Sequence, residues 1–200
     1  MQYKPCALIL HSYNFHHGAN EILKNWYNQD LRHLGYKAVE ETEHYIMFTN
    51  SFSDIYLTKP VLENDQMKRL YTSANVGISF CAAEGWGLPQ MEMMACGKPV
   101  IISNVIGHKE YIKDLPVFQE LIIEPIGKEV ANDGVFFHGD RGNWYTLSQE
   151  SLISKLNYAY DNNIGSILSR DLSEYIINNY NWNLAATKIK QIITEGTYEN

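Results

Sequence analysis

Between Glu84 and Val100 the chain reads EGWGLPQMEMMACGKPV, two glutamates eight positions apart with a Gly-Trp-Gly loop and a proline between them. Apolar runs flank it, VGISF at 76–80 and PVIIS at 99–103, each short and without polar alternation. Strands buried on both faces look like this. Proline suits the first helical position, because its missing N–H would be unpaired there anyway. Pro89 therefore marks the start of a helix, Gly97 sits where a C′ glycine belongs, and Pro99 prevents continuation. The helix is then about eight residues, on the order of 12 Å long. Met91, Met94 and Ala95 form its core face, and Glu92 lies off that face. Strand, glycine loop, helix and strand make the repeating unit of a parallel α/β sheet.

The same rhythm extends outward. ALILHSY (7–13) reads as a buried strand, followed by a helix over ANEILKNWYNQDLRHLG with Gly35 as its stop. HYIMF (44–48) is a second apolar run. In NDQMKRLYTSA, Met67, Leu70, Tyr71 and Ala74 recur at helical spacing behind Asn64, a plausible N-cap. From about Lys113 to Asn143 the rhythm breaks, and LIIE and GVFFH read as an insertion or hairpin outside the regular winding. The tail is helical: Leu152, Ile153, Leu156 and Tyr160 make one face, and Ala185, Ile189, Ile192 and Ile193 another, with Ser148 and Asn183 as caps. No repeat or linker is evident, so residues 1–200 are expected to form one α/β domain. The expected fold is a Rossmann-like parallel sheet with helices on both faces.

Composition narrows the function. With 16 Lys+Arg against 23 Asp+Glu, the formal net charge is −7. That balance excludes broad electrostatic binding to nucleic acid or an anionic membrane, and leaves room for a local pocket for one phosphate group. Cys6, Cys81 and Cys96 are odd in number and form no C-x-x-C pair. A disulfide framework or structural zinc is not expected, and a reducing compartment fits best. No run approaches the roughly 20 apolar residues of a membrane span, and the opening residues lack a signal-peptide pattern. The chain is expected to be soluble and cytoplasmic.

The loop EGWGL is where chemistry belongs. Its glycines let backbone N–H groups approach a ligand, and the helix start adds positive potential suited to a phosphate. Doubly wound folds bind ligands at this place, the carboxyl ends of the strands. A diphosphate there puts Glu92 within reach of a neighbouring hydroxyl-bearing ring, with Glu84 on the other side of the phosphate. Glycine-rich strand-to-helix turns are also common without function. On spacing alone, Trp86 is equally a packing residue and Glu92 a favourable first-turn charge.

The whole string EGWGLPQMEMMACGKPVIISNVIGHKEYI (84–112) resembles the signature of family 4 glycosyltransferases of the GT-B fold. Glu84 and Glu92 match the family's E-x7-E pair, and Gly85, Gly87, Leu88 and Pro89 match its loop. Ala95, Gly97, Pro99, Val100, Ile101, Gly107 and Glu110 match the remainder of the signature, while Trp86 replaces the usual phenylalanine. LYTSANVGISF upstream and YNWNLAATKIKQII downstream extend the resemblance over roughly 64–195. It implies the carboxy-terminal, donor-binding half of a retaining enzyme. By that analogy Glu92 holds the ribose hydroxyls of the nucleotide, and the backbone of Gly87 and Leu88 contacts phosphates and sugar. Gly85 and Trp86 complete the donor loop, and Glu84 faces the transferring sugar as the catalytic carboxylate. The donor is then a nucleotide-diphosphate sugar, and such enzymes usually work without a metal or other cofactor.

The departures are informative. The family has an amino-terminal domain that carries the acceptor site, and this chain has no room for it. The family's diphosphate-neutralising arginine and lysine have no convincing counterpart either. The chain is therefore expected to work with a separate amino-terminal domain, in cis or in trans, on a glycan, lipid or protein acceptor. The alternatives are a non-catalytic interaction module of the same fold and, less favoured, a nucleotide-sugar epimerase. His16-His17 reads as an exposed turn and Trp182 as a helix-docking anchor. His108 is read either as approaching the donor sugar or as lying behind the site or at the surface. Thr49 to Phe52 are candidates to border the base, and His138 and Asp140 receive no role.

Overall fold

A computed structural model describes residues 4–11, 30–58, 62–132, 142–166 and 168–195. It divides into two compact units, Met1–Asn64 and Asp65–Asn200.

The first unit holds one mixed sheet of four strands, β1 (Cys6–His11), β2 (Lys37–Glu41), β3 (Tyr45–Thr49) and β4 (Ser53–Thr58), in the order β1-β4-β3-β2. β4 runs parallel to β1, while β3 is antiparallel to both β4 and β2. The sequence pattern suggests only β1 and β3 here, in a parallel winding. Turn chemistry accounts for the difference. The Asn50 side-chain oxygen accepts from the N–H groups of Phe52 and Ser53, at 2.9 Å each, and folds β3 back on β4. The Thr42 hydroxyl accepts from His44 and Tyr45 N–H, at 3.1 Å each, and does the same between β2 and β3. Side chains that close such turns make a hairpin out of what apolar patterning alone presents as an isolated strand. Thr49 thus ends β3, and Asn50 to Phe52 form the hairpin turn. Leu31, Phe48, Ile55 and Leu57 make the core of this unit. Most of the helix expected at 19–35 lies outside the described residues. Its end follows the expected stop: Gly35 has φ 79°, Gly35 N–H bonds to Arg32 O, and Tyr36 N–H bonds to Leu31 O.

The second unit carries the expected parallel sheet, β5 (Gly77–Ser79), β6 (Val100–Ser103) and β7 (Ile122–Ile123), in that order. All four residues of β6 are buried. Because strand side chains alternate, Val100 and Ile102 join a core with Met91, Met94, Tyr111, Leu172 and Ile176. Ile101 joins the opposite one, with Leu121, Ile123 and Ala159. The central strand is covered on both faces. β7 falls within LIIE and belongs to the winding, a correction to its reading as an insertion. A hairpin is formed by other residues than the two runs expected there, β8 (Gly127–Val130) pairing antiparallel with β9 (Asn143–Thr146). GVFFH, His138 and Asp140 lie outside the described residues, as do His16 and His17.

The helices are α1 (Asn64–Ser73), α2 (Leu88–Ala95), α3 (Lys109–Ile112), α4 (Gln149–Asp161), α5 (Arg170–Asn179) and α6 (Trp182–Glu195). The face of α1 made by Met67, Leu70, Tyr71 and Ala74 is half-buried. Ser148 caps α4 by accepting from Ser151 N–H, as expected, and Ser169 caps α5 by accepting from Leu172 N–H. The α6 cap is Asn181, whose side-chain oxygen accepts from Leu184 N–H at 2.9 Å, two residues before the expected Asn183. Trp182 is 86% exposed, which does not fit a helix-docking anchor among the described residues. No described helix is long and apolar enough to cross a membrane.

Candidate functional site

The carboxyl end of β5 is fastened to β6 by one buried hydroxyl. Ser103 Oγ accepts from Cys81 N–H at 3.1 Å and donates toward the carbonyls of Ser79 (3.0 Å) and Cys81 (2.9 Å). Gln90, from the first turn of α2, adds a 2.6 Å bond to Ser79 Oγ. The chain leaves β5 on a fixed path and enters the loop at Glu84.

The loop is folded around its own carboxylate. Glu84 Oε1 accepts from the N–H groups of Gly85 (2.9 Å) and Trp86 (3.4 Å). The Glu84 carbonyl accepts from Gly107 N–H at 3.1 Å. The contact with Gly107 is close: a Cβ there would lie 2.1 Å from the Gly85 carbonyl oxygen, so only glycine fits. Trp86 is held from the side, its ring centroid 5.7 Å from that of Tyr111 and 6.0 Å from that of Tyr180. Tyr111 and Tyr180 contact each other at 6.1 Å, so the indole completes an aromatic cluster.

Gly87 turns the loop into α2. It is the N-cap, with φ 86° and ψ 55°, a left-handed conformation that favours glycine, and no side chain caps the helix start. The N–H groups of a first helical turn lack partners within the helix, so this end can receive an anion. Leu88 begins the helix and is exposed; Pro89 follows one position later than its sequence reading. At the other end Gly97 has φ 75°. Its N–H bonds to Met94 O, and Lys98 N–H bonds to Met93 O. These are the paired bonds of a glycine-terminated helix. Glu92 is exposed, and its Oε2 accepts from the Tyr71 hydroxyl of α1 at 2.9 Å. Burial, reinforced by that bond, pushes the Tyr71 phenol well above its usual range.

Beneath the loop lies His108, with no exposed surface, which overturns any surface role. Its Nδ1 is 2.8 Å from the Ser103 carbonyl, and its Nε2 has no hydrogen-bond partner among the described residues. A carbonyl only accepts, so Nδ1 carries the proton and Nε2 the lone pair. Burial lowers the imidazole pKa, opposed by the Ser103 bond and the charge of Glu84. The Tyr111 hydroxyl is likewise buried without a described partner, and burial raises its pKa. A Cβ on Gly87 would come within 2.7 Å of His108 Nε2 and 2.9 Å of the Tyr111 hydroxyl, so both unpaired groups face the underside of Gly87.

Tyr145 of β9 bonds through its N–H to the Ala82 carbonyl at 2.9 Å. Its phenol accepts from Lys109 Nζ at 3.0 Å, and Lys128 Nζ stands 5.0 Å from its ring centroid. The hairpin thus gathers two lysines near the start of the loop, a pairing with no local signal in the sequence. Tyr71, 21 positions from Glu92, is legible in the sequence only as a helix-face residue. A surface hollow of about 580 Å³ lined by residues such as Pro116, Phe118, Leu168 and Asp171 contains none of the loop.

Residues 55–143 match the family model of group 1 glycosyl transferases. The match covers less than half of the chain and includes the whole glutamate-glycine loop and the helix it opens. The domain of that family is the Rossmann-like half of a GT-B fold, which the parallel sheet with helices fits, and the match supports sugar transfer in general, which implies a sugar donor and an acceptor. No curated protein matches the chain.

Proposed function

We propose that this chain is the donor-binding part of a retaining, family 4-like glycosyltransferase that takes its sugar from a nucleotide-diphosphate donor. The observation that carries the proposal is the uncapped start of α2, opened by left-handed Gly87 at the carboxyl end of a parallel strand, with a glutamate on either side. In this reading the diphosphate lies against the first-turn amides of α2, where fixed dipoles offset the charge that develops as it departs. Leu88 and Gly87 present their backbone to it, and Gly85 and Trp86 shape the wall of the sugar pocket. Glu92 clamps the ribose, using the oxygen that Tyr71 does not occupy. Glu84 is the catalytic carboxylate, facing the anomeric carbon and supporting the positive charge that grows there.

The acceptor side is proposed to come from an amino-terminal domain in cis or in trans, acting on a glycan, lipid or protein. The described cysteines are all free, which supports a cytoplasmic, reducing setting.

Thermal melting with a panel of nucleoside diphosphates and nucleotide sugars tests the proposal. A ligand at about 100 times its dissociation constant stabilises by about 2.7 kcal/mol, a shift of roughly 5–10 °C for a chain of this size. Glu92→Ala should abolish a selective shift. An undiminished shift in that variant would remove Glu92 from the site.

A further inference from the structure

Cys81, Glu84 and His108 are separated in sequence by up to 27 positions, yet each offers one ligand atom lying within 4.8 Å of the others'. We propose that these three side chains form a binding site for a borderline-soft divalent cation of the zinc class. The transfer reaction above calls on no metal, and the site does not depend on that reading.

Three observations support the assignment. First, His108 is fully buried with its Nδ1 proton committed to the Ser103 carbonyl, which leaves the Nε2 lone pair without a described partner. A ring nitrogen anchored on a backbone carbonyl behind a free Nε2 is how metal-binding histidines are oriented. Second, the sulfur, the carboxylate oxygen and the ring nitrogen come from different points of the chain and converge to within 4.8 Å of one another, close enough to share one ion. Third, Cys81 and Glu84 are only partly buried, so an ion has a way in.

The donor set decides the class of metal. One sulfur, one carboxylate oxygen and one imidazole nitrogen suit a tetrahedral Zn²⁺ or Co²⁺ and leave a fourth position open. Mg²⁺ and Ca²⁺ require oxygen ligands throughout. Binding forms a sulfur–metal bond and releases the Cys81 thiol proton to solvent. Thiolate and carboxylate then balance the two positive charges, and the imidazole stays neutral. Such an ion would occupy the Glu84 carboxylate.

Titration of the reduced, metal-free chain with CoCl₂ alone tests the site. The expected result is a thiolate-to-cobalt charge-transfer absorption that saturates at one ion per chain and is displaced by ZnCl₂. Cys81→Ser, a near-isosteric change, should remove the absorption, whereas Cys96→Ser should keep it. His108→Gln should weaken binding by at least the roughly 10- to 100-fold that loss of a hydrogen-bond partner behind a ligand costs. Absence of the absorption in the unaltered chain, or its persistence in Cys81→Ser, would overturn the proposal.

Discussion

At the scale of single residues, the loop depends on Gly107, a position that contributes no side chain. Its α-carbon sits against the backbone of Glu84 and Gly85, where an added methyl has no flexible neighbour to push aside. Gly107→Ala must therefore displace the loop itself. The expected cost is roughly 1–3 kcal/mol, as for overpacking a core, with loss of nucleoside diphosphate binding in the same variant. Urea denaturation and the thermal-shift panel read the two effects. Unchanged stability would mean that the loop is not held by this contact. Trp86 obeys the same logic: its ring is fixed by Tyr111 and Tyr180, so it stiffens the loop whether or not it touches a ligand.

At the scale of elements, the helix ends show how far local pattern reaches. Gly97 and Ser148 hold the places that sequence rules assign them, because both motifs are closed by residues within five positions. The α6 start is a near miss. Asn181 and Asn183 lie on either side of Trp182, and both are good caps; the hydrogen bond to Leu184 N–H selects Asn181. Asn181→Ala should lower stability by about 1 kcal/mol, while Asn183→Ala should leave it nearly unchanged. Thermal melts of the two variants side by side decide the matter, and the reverse order would reassign the cap. The hairpins of the first unit escape a pattern reading because their turns are closed by Asn50 and Thr42 rather than by a glycine or proline pair.

At the scale of the whole molecule, three tyrosines of the second unit, Tyr71, Tyr111 and Tyr175, have phenols raised above the ordinary value, chiefly by burial. A group whose folded pKa is raised contributes stability that is fully present below its unfolded pKa, near 10 for tyrosine, and lost as pH rises. Stability should therefore decline above about pH 10. Tyr111 alone, with no exposed surface, can add up to about 1.4 kcal/mol per pH unit to the slope. Tyr111→Phe should be near neutral at pH 7, since the hydroxyl has no described partner, and should flatten the alkaline decline. Denaturant melts from pH 8 to 11 measure both, and an equal slope in the variant would exclude Tyr111 as a source. The parallel pairing of β5 with β6 and the loop-to-helix unit between them were legible because each rests on a short, contiguous string, whereas β7 reads as an insertion and only its pairing with β6 puts it in the sheet. By itself the amino-acid sequence determined those units, through periodicity, turn residues and a glycine loop that local sterics allow to fold in few ways. Only the tertiary structure decided which distant groups meet: Tyr71 on Glu92, Gly107 beneath Gly85, and Cys81 and Glu84 beside the ring of His108. Such contacts are set by the packing of separate elements, and sequence spacing carries no record of them.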